Sequence, residues 1–241
     1  MIFKLLRLMP LFLVVFTVSQ TGWSQPATSS IDWDDALEQS SGWYAGNEAI
    51  RIADNVLLYQ HRVGGWPKNI DMAEVLSEAE QDRIRREQAE GGTTFSNITI
   101  DNGATYTQMR YLATVYDATR EERFKEGFLM GLDYLLEARY DNGGWPQYYP
   151  IREGYYENIT FNDNAMIGVM RILSEVAQGN DQFVFVDHER QKQAASAVEK
   201  GLQVILDTQI AVDGTRTAWC AQYNPETLEP AGARTYEPPS I

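Results

Sequence analysis

Cysteine, histidine and basic charge are all scarce in this chain. Its 241 residues hold one cysteine, Cys220, and two histidines, His61 and His188. A single cysteine excludes an intramolecular disulfide framework and any cysteine-rich zinc site, and two histidines leave little material for a histidine metal centre. Lys and Arg number 20 against 34 Asp and Glu, a net charge of -14. So acidic a chain lacks the clustered cations that supply most of the affinity of nucleic-acid and anionic-membrane binders. A polyanionic substrate would need something to offset the repulsion. Long apolar runs are also missing, with one exception at residues 8–18, broken only by Pro10 and Thr17. That run is too short to cross a hydrocarbon layer of about 30 Å.

The run follows Lys4 and Arg7 and precedes a small, polar stretch at residues 19–30, the order of charge, apolar core and small residues found in secretory signals. The expected organisation is a signal peptide at 1–25, a short linker at 26–40 and one folded part at 41–241. Export follows as the expected localisation, extracellular or periplasmic, with no membrane contact after the signal is removed. Cleavage would take away Lys4 and Arg7 and no acidic residue, so the mature chain would be more acidic still.

The apolar fraction of the whole chain, 44%, is enough for a sizeable core, and beyond residue 40 its spacing is helical. Stripes at Ala49, Ile52, Ala53, Val56 and Leu57, at Met109, Leu112, Ala113 and Tyr116, and at Phe124, Phe128, Leu132 and Leu135 fit one face of a helix. So do Ile167, Met170 and Leu173, and Ala195, Val198, Leu202 and Ile205. Residues 77–88 predict a polar surface helix opening on the capping box Ser-Glu-Ala-Glu. Cys220 is expected to be a buried thiol, and His61 and His188 are expected to be structural.

An internal repeat overlies these stripes. Residues 54–66 (DNVLLYQHRVGGW) and 133–145 (DYLLEARYDNGGW) match, each followed by Pro; a weaker third copy runs over 204–219. A second element aligns at an offset of 61, ITIDNGA at 98–104 with ITFNDNA at 159–165, and Met109-Arg110 with Met170-Arg171 keeps that offset. The repeating unit is helix, Gly-Trp loop, polar segment, helix. Such units stack as a solenoid or curl into an α/α toroid, and aromatic and glycine-rich loops gathered at one end favour the toroid, because they would line a groove. The fold class is therefore all-α, an incomplete α/α barrel of helix-loop-helix repeats. The third unit stops at 236–241 where its second helix should begin, so a truncated domain is expected.

Asp101, Asn102, Asn162 and Asp163 stand at matching places before two helices. Asp and Asn are favoured helix caps, and a carboxylate there gains about 0.3–1 kcal/mol from the helix dipole. One cap per helix needs only one such residue. The spare oxygens are what a hard cation takes, six to eight at about 2.3–2.6 Å for calcium. Capping and a metal or catalytic role both stand at this point. Trp66 and Trp145 likewise have two readings, as inward-packed turn residues or as sugar-binding platforms.

The segments GGWPKNIDM (64–72), TIDNGAT (99–105), GGWPQYYP (143–150), ITFNDNAM (159–166) and ARTYEPPSI (233–241) together resemble the pectate lyases of polysaccharide lyase family 10, over about residue 40 to the last. The resemblance implies a secreted, calcium-dependent enzyme on an α/α toroid that cleaves polygalacturonate (pectate) by β-elimination. It implies Asp101 and Asp163 as calcium or substrate-carboxylate ligands, Asn102 as a neighbouring groove ligand and Arg234 as the base. The family's further substrate-binding arginine lies beyond the last residue here. Lys68, Arg171 and Arg234 are candidate counter-charges for the sugar, and Asn162, Trp66 and Trp145 join Asn102 as candidate substrate contacts. Calcium would also resolve the charge problem, since it lets an acidic protein hold an anionic sugar. A monomer is expected. Two other classes remain open: an inverting glycoside hydrolase using Asp101 and Asp163 at roughly 6.5–9.5 Å, and an inactive sugar-binding fragment.

Overall fold

The computed structural model describes residues 31–92, 96–179 and 181–232. The expected signal peptide and Arg234 lie outside these residues. Within them, helices dominate. Helix α1 spans Trp33–Leu37 and is capped by the Asp32 carboxylate, which accepts from the Asp35 amide at 2.8 Å. Its Ala36 is fully buried, and the Trp33 ring lies 5.2 Å from that of Tyr111. The packed body thus starts inside the stretch expected to be a linker, because Trp33, Ala36 and Leu37 present one apolar face at helical spacing.

Helix α2 (Asn47–Tyr59) buries Ala49, Ile52, Ala53 and Val56. Helix α3 (Glu78–Glu90) is the polar surface helix expected; Ser77 and Glu80 form the reciprocal capping box, Gly91 closes it in the left-handed region, and Ile84 alone is buried. Helices α4 (Tyr106–Thr119) and α5 (Glu122–Glu137) form a hairpin, as do α6 (Ala165–Gln178) and α7 (His188–Asp207). Helices α4 and α6 pack side by side and are tied by a bidentate ion pair, Arg110 to Glu175 at 2.7 and 3.0 Å. Outside them α2 touches α5 and α5 touches α7. Two layers of helices in this order are an arc of the α/α toroid.

On α7 the buried stripe is Ala194, Ala197, Gly201 and Val204; Leu202 is 51% exposed and Ala195, Val198 and Ile205 are only partly buried. Choosing the larger apolar residues put the expected stripe one position off. The contact with α6 needs small residues, for a Cβ at Gly201 would meet Met170 Sδ at 2.3 Å. Ile167 departs from expectation in the same way, being 38% exposed at the start of α6. Cys220 is buried, as expected.

The three-fold repeat is visible as hydrogen bonds. The Trp66 indole donates to Val56 O at 2.7 Å, Trp145 to Leu135 O at 2.8 Å and Trp219 to Ile205 O at 2.7 Å. Each ring satisfies a carbonyl near the end of the helix before it, where intrahelical donors run out. The glycines that turn each chain back are required: Gly64 and Gly143 have φ of +104° and +106°, and a Cβ there would lie 2.1 Å from Met130 O or 2.4 Å from the Lys200 carbonyl carbon.

The polar segments then lace the units together. The Thr99 amide donates to Trp66 O in its own unit (3.1 Å), and the Ile100 amide donates to Gln147 O in the next (3.2 Å). One unit later, the Thr160 amide donates to Trp145 O (3.2 Å) and the Phe161 amide to Ala221 O (2.8 Å). There β1 (Ile159–Thr160) pairs antiparallel with a strand at Gln222–Tyr223, which pairs with Pro230–Ala231. A small hairpin, Ala211–Val212 with Thr215–Arg216, stands apart. No helix among the described residues is long and apolar enough to cross a membrane.

Candidate functional site

Each polar segment ends in a short 3-10 turn, Asp101–Gly103 before α4 and Asn162–Asn164 before α6, and the two turns lie against each other. Their backbones match at the offset read from the sequence: Asn102 (φ 50°, ψ 38°) corresponds to Asp163 (φ 54°, ψ 30°). These residues sit in the left-handed region, which Asn and Asp tolerate better than most. Neither turn is spent on capping. The N-caps of α4 and α6 are Thr105 and Asn164, and neither makes a side-chain cap bond. The polar side chains of the turns make other contacts instead.

Asp101 is buried. Its Oδ2 accepts a short hydrogen bond and ion pair from Lys68 Nζ, while its Oδ1 is buried without a partner among the described residues. Burial works against the Lys68 ammonium, yet the hydrogen bond and charge of Asp101, with Tyr148 adding, outweigh it and hold the lysine above its ordinary pKa. At the matching position Asn162 Oδ1 is also buried and unpartnered. Asn162 Nδ2 donates to Asp163 Oδ2 at 2.6 Å, and Asp163 itself is exposed. Asn102 is exposed too, and its Nδ2 donates to Asn69 Oδ1 at 3.1 Å. Beside the Asp101 turn opens a cavity of about 370 Å³ whose walls include Trp33, Lys68, Asn69, Asn102 and Gln108.

Trp66 and Trp145 have no exposed surface. They offer no face to a sugar, and their expected role as substrate contacts is corrected: each ring fills the core and spends its N–H on a helix carbonyl. Arg171 lies exposed on α6 and makes no hydrogen bond or ion pair among the described residues. Arg234, the expected base, lies outside them.

Tyr106, at the head of α4, was missed in the sequence. Its ring rests on α6, where a Cβ at Gly168 would meet Tyr106 Cζ at 2.3 Å, and its hydroxyl comes near the Asp101 turn, 3.9 Å from where a Cβ at Gly103 would stand. Burial and the charge of Asp101 push this phenol up, Arg171 pulls it back and Asp163 pushes it up again. The hydroxyl therefore shares one electrostatic neighbourhood with both aspartates and the arginine, and it stays protonated. The signal available was the repeat itself. At the offset of 61, Tyr106 stands opposite Ile167, so a hydroxyl occurs in one unit where the other is apolar.

Two buried oxygens without donors, on adjoining turns and beside an exposed carboxylate, have the donor chemistry of a hard-cation site. Among the described residues no group of three or more His, Cys, Asp or Glu gathers to hold a metal, so such a site would depend on amide oxygens as well as carboxylates.

The profile of the pectic acid lyase family matches residues 60–241. No curated protein matches the chain. Among solved structures, the family 10 polysaccharide lyase from Cellvibrio cellulosa is 33% identical with a TM-score of 0.71, over 87% of this chain and 59% of that one. An aspartate-to-alanine mutant of that lyase, in complex with trigalacturonic acid, is also 33% identical with a TM-score of 0.70, over 86% of this chain and 62% of its own. The chain thus spans about three-fifths of the length of the structures it matches.

Proposed function

Since this chain belongs to the pectic acid lyase family, we propose that it is an exported, calcium-dependent lyase that cleaves polygalacturonate by β-elimination. The observation that carries the reading is the pair of adjoining turns, Asp101–Gly103 and Asn162–Asn164, with Asp101 Oδ1 and Asn162 Oδ1 buried and unsatisfied. The trigalacturonic acid bound by the Cellvibrio cellulosa relative supports a galacturonate chain as the substrate class. Export rests on the charge and apolar pattern of residues 1–25.

Elimination removes the proton at C5, beside the uronate carboxylate, and expels the glycosidic oxygen at C4. Asp101 and Asp163, with Asn162 as a further oxygen, would hold a calcium ion, which when bound would supply Lewis-acid charge near the uronate. Lys68 pairs with the Asp101 carboxylate and orients it. Asn102 lies on the exposed side of the turn, where a sugar hydroxyl could reach it. Arg234 is the proposed base at C5. Guanidinium loses its proton with difficulty, so activity is expected to rise with pH into the alkaline range. An inverting hydrolase using Asp101 and Asp163 is not favoured by the family, and the two readings predict different products.

Incubation with polygalacturonate separates them. The lyase reading expects ultraviolet absorbance from a 4,5-unsaturated end group, abolished by a chelator and restored by calcium. Reducing ends that accumulate without that absorbance would mean hydrolysis. Binding with no product at all would mean a sugar-binding chain.

A further inference from the structure

Tyr106 has no part in the chemistry proposed above, yet its placement is closely constrained. Its ring occupies the space that a side chain at position 168 would need, and Gly168 leaves that space open. Its hydroxyl is thereby carried from α4 across to α6, to the junction of the two polar turns. Arg171 lies three residues beyond Gly168 on α6, hence on the same helix face one turn on. Asp101, Asp163 and Arg171 all act on the Tyr106 hydroxyl electrostatically. The guanidinium has no partner among the described residues, whereas the sister arginine at the offset of 61, Arg110, is neutralised by Glu175.

A neutral donor and an unpaired guanidinium on one helix face, in front of two carboxylates, offer what an incoming carboxylate lacks in so acidic a groove. We infer that Tyr106 and Arg171 together form a clamp for a uronate carboxylate of the substrate, the phenol donating one hydrogen bond and the guanidinium supplying charge and further donors. The clamp positions the sugar; it takes no proton in the reaction. Its specificity follows from its chemistry, because a methyl ester removes the negative charge and weakens both acceptor oxygens. The inference rests on galacturonate as the substrate class, but not on turnover.

The test is the binding of trigalacturonate by calorimetry, with its methyl ester as the comparison ligand. Tyr106→Phe keeps the ring over Gly168, and Arg171→Gln lies on an exposed position; unchanged circular dichroism and melting would show that both fold. Each variant is expected to weaken trigalacturonate binding about tenfold or more. The double variant is expected to lose much less than the product of the two, because each donor works through the other's hold on the same carboxylate. On the methyl ester the losses should shrink to about twofold. Binding by Tyr106→Phe within twofold of wild type would overturn the clamp, as would equal losses on acid and ester. A wild-type chain that binds trigalacturonate but forms no unsaturated product would refute the lyase reading and leave the clamp standing.

Discussion

At Asp101 the two carboxylate oxygens have different fates: Oδ2 is tied to Lys68 and Oδ1 is buried with no donor among the described residues. An oxygen left so in a folded chain has a desolvation cost of about 1–3 kcal/mol unless something binds it. Asp101→Asn keeps the shape and removes the charge. Its expected effect is a fall in initial rate of about a hundredfold, the scale of losing one electrostatic contact to a transition state, together with a lower melting temperature, because Lys68 loses its ion-pair partner. The Lys68 ion pair adds a pH signature. Its pKa is held above the ordinary lysine value of about 10.4, so the folded state keeps this proton longer than the unfolded state does. The stability it contributes is complete below about pH 10 and is lost as pH rises through the folded-state pKa. Denaturant titrations of wild type and Lys68→Met should therefore differ by a constant amount through neutral pH and converge above it.

At the scale of elements, the tryptophan that closes each unit ties ring packing to the end of a helix. Trp145→Ala should cost about 3–5 kcal/mol, and Trp145→Phe about 1–3 kcal/mol, because the Leu135 carbonyl is left without its donor; urea unfolding would measure both. Trp219 is only partly buried, so Trp219→Phe should cost less. These elements were also the most legible in the sequence. The stripes of α2, α4 and α5 came directly from their spacing, since each helix buries large side chains against two neighbours. The stripe of α7 did not, because its interface with α6 is built on Gly201 and two alanines, and absence of volume leaves no hydrophobic signal. The site was half legible for a similar reason. Asp101, Asn102, Asn162 and Asp163 are a local pattern repeated in two successive units, whereas Tyr106 reaches the site by crossing to another helix, and nothing in local spacing reports such a crossing.

The whole molecule carries a net charge of -14, which opposes any polyanion and makes a bound cation consequential for stability as well as for binding. If calcium joins the two turns, the folded state gains about 2.7 kcal/mol at a hundred times the dissociation constant. Thermal melts should then rise with calcium, fall with a chelator, stay flat with sodium chloride of equal ionic strength, and lose the calcium response in Asp101→Asn. A second whole-molecule property follows from the lacing of the units. The amides of Phe161 and Asn162 both donate to Ala221 O, so the turn bearing Asp163 is held by chain that comes some 60 residues later, just as the turn bearing Asp101 leans on Gln147. Each copy is thus finished by its successor. In an open row of such copies the final one would always stand unfinished, whereas in a closed ring every copy has a follower. Among the described residues the copies form an open arc, so the turn bearing Asp163 keeps its support only while the chain around Ala221 stays in place.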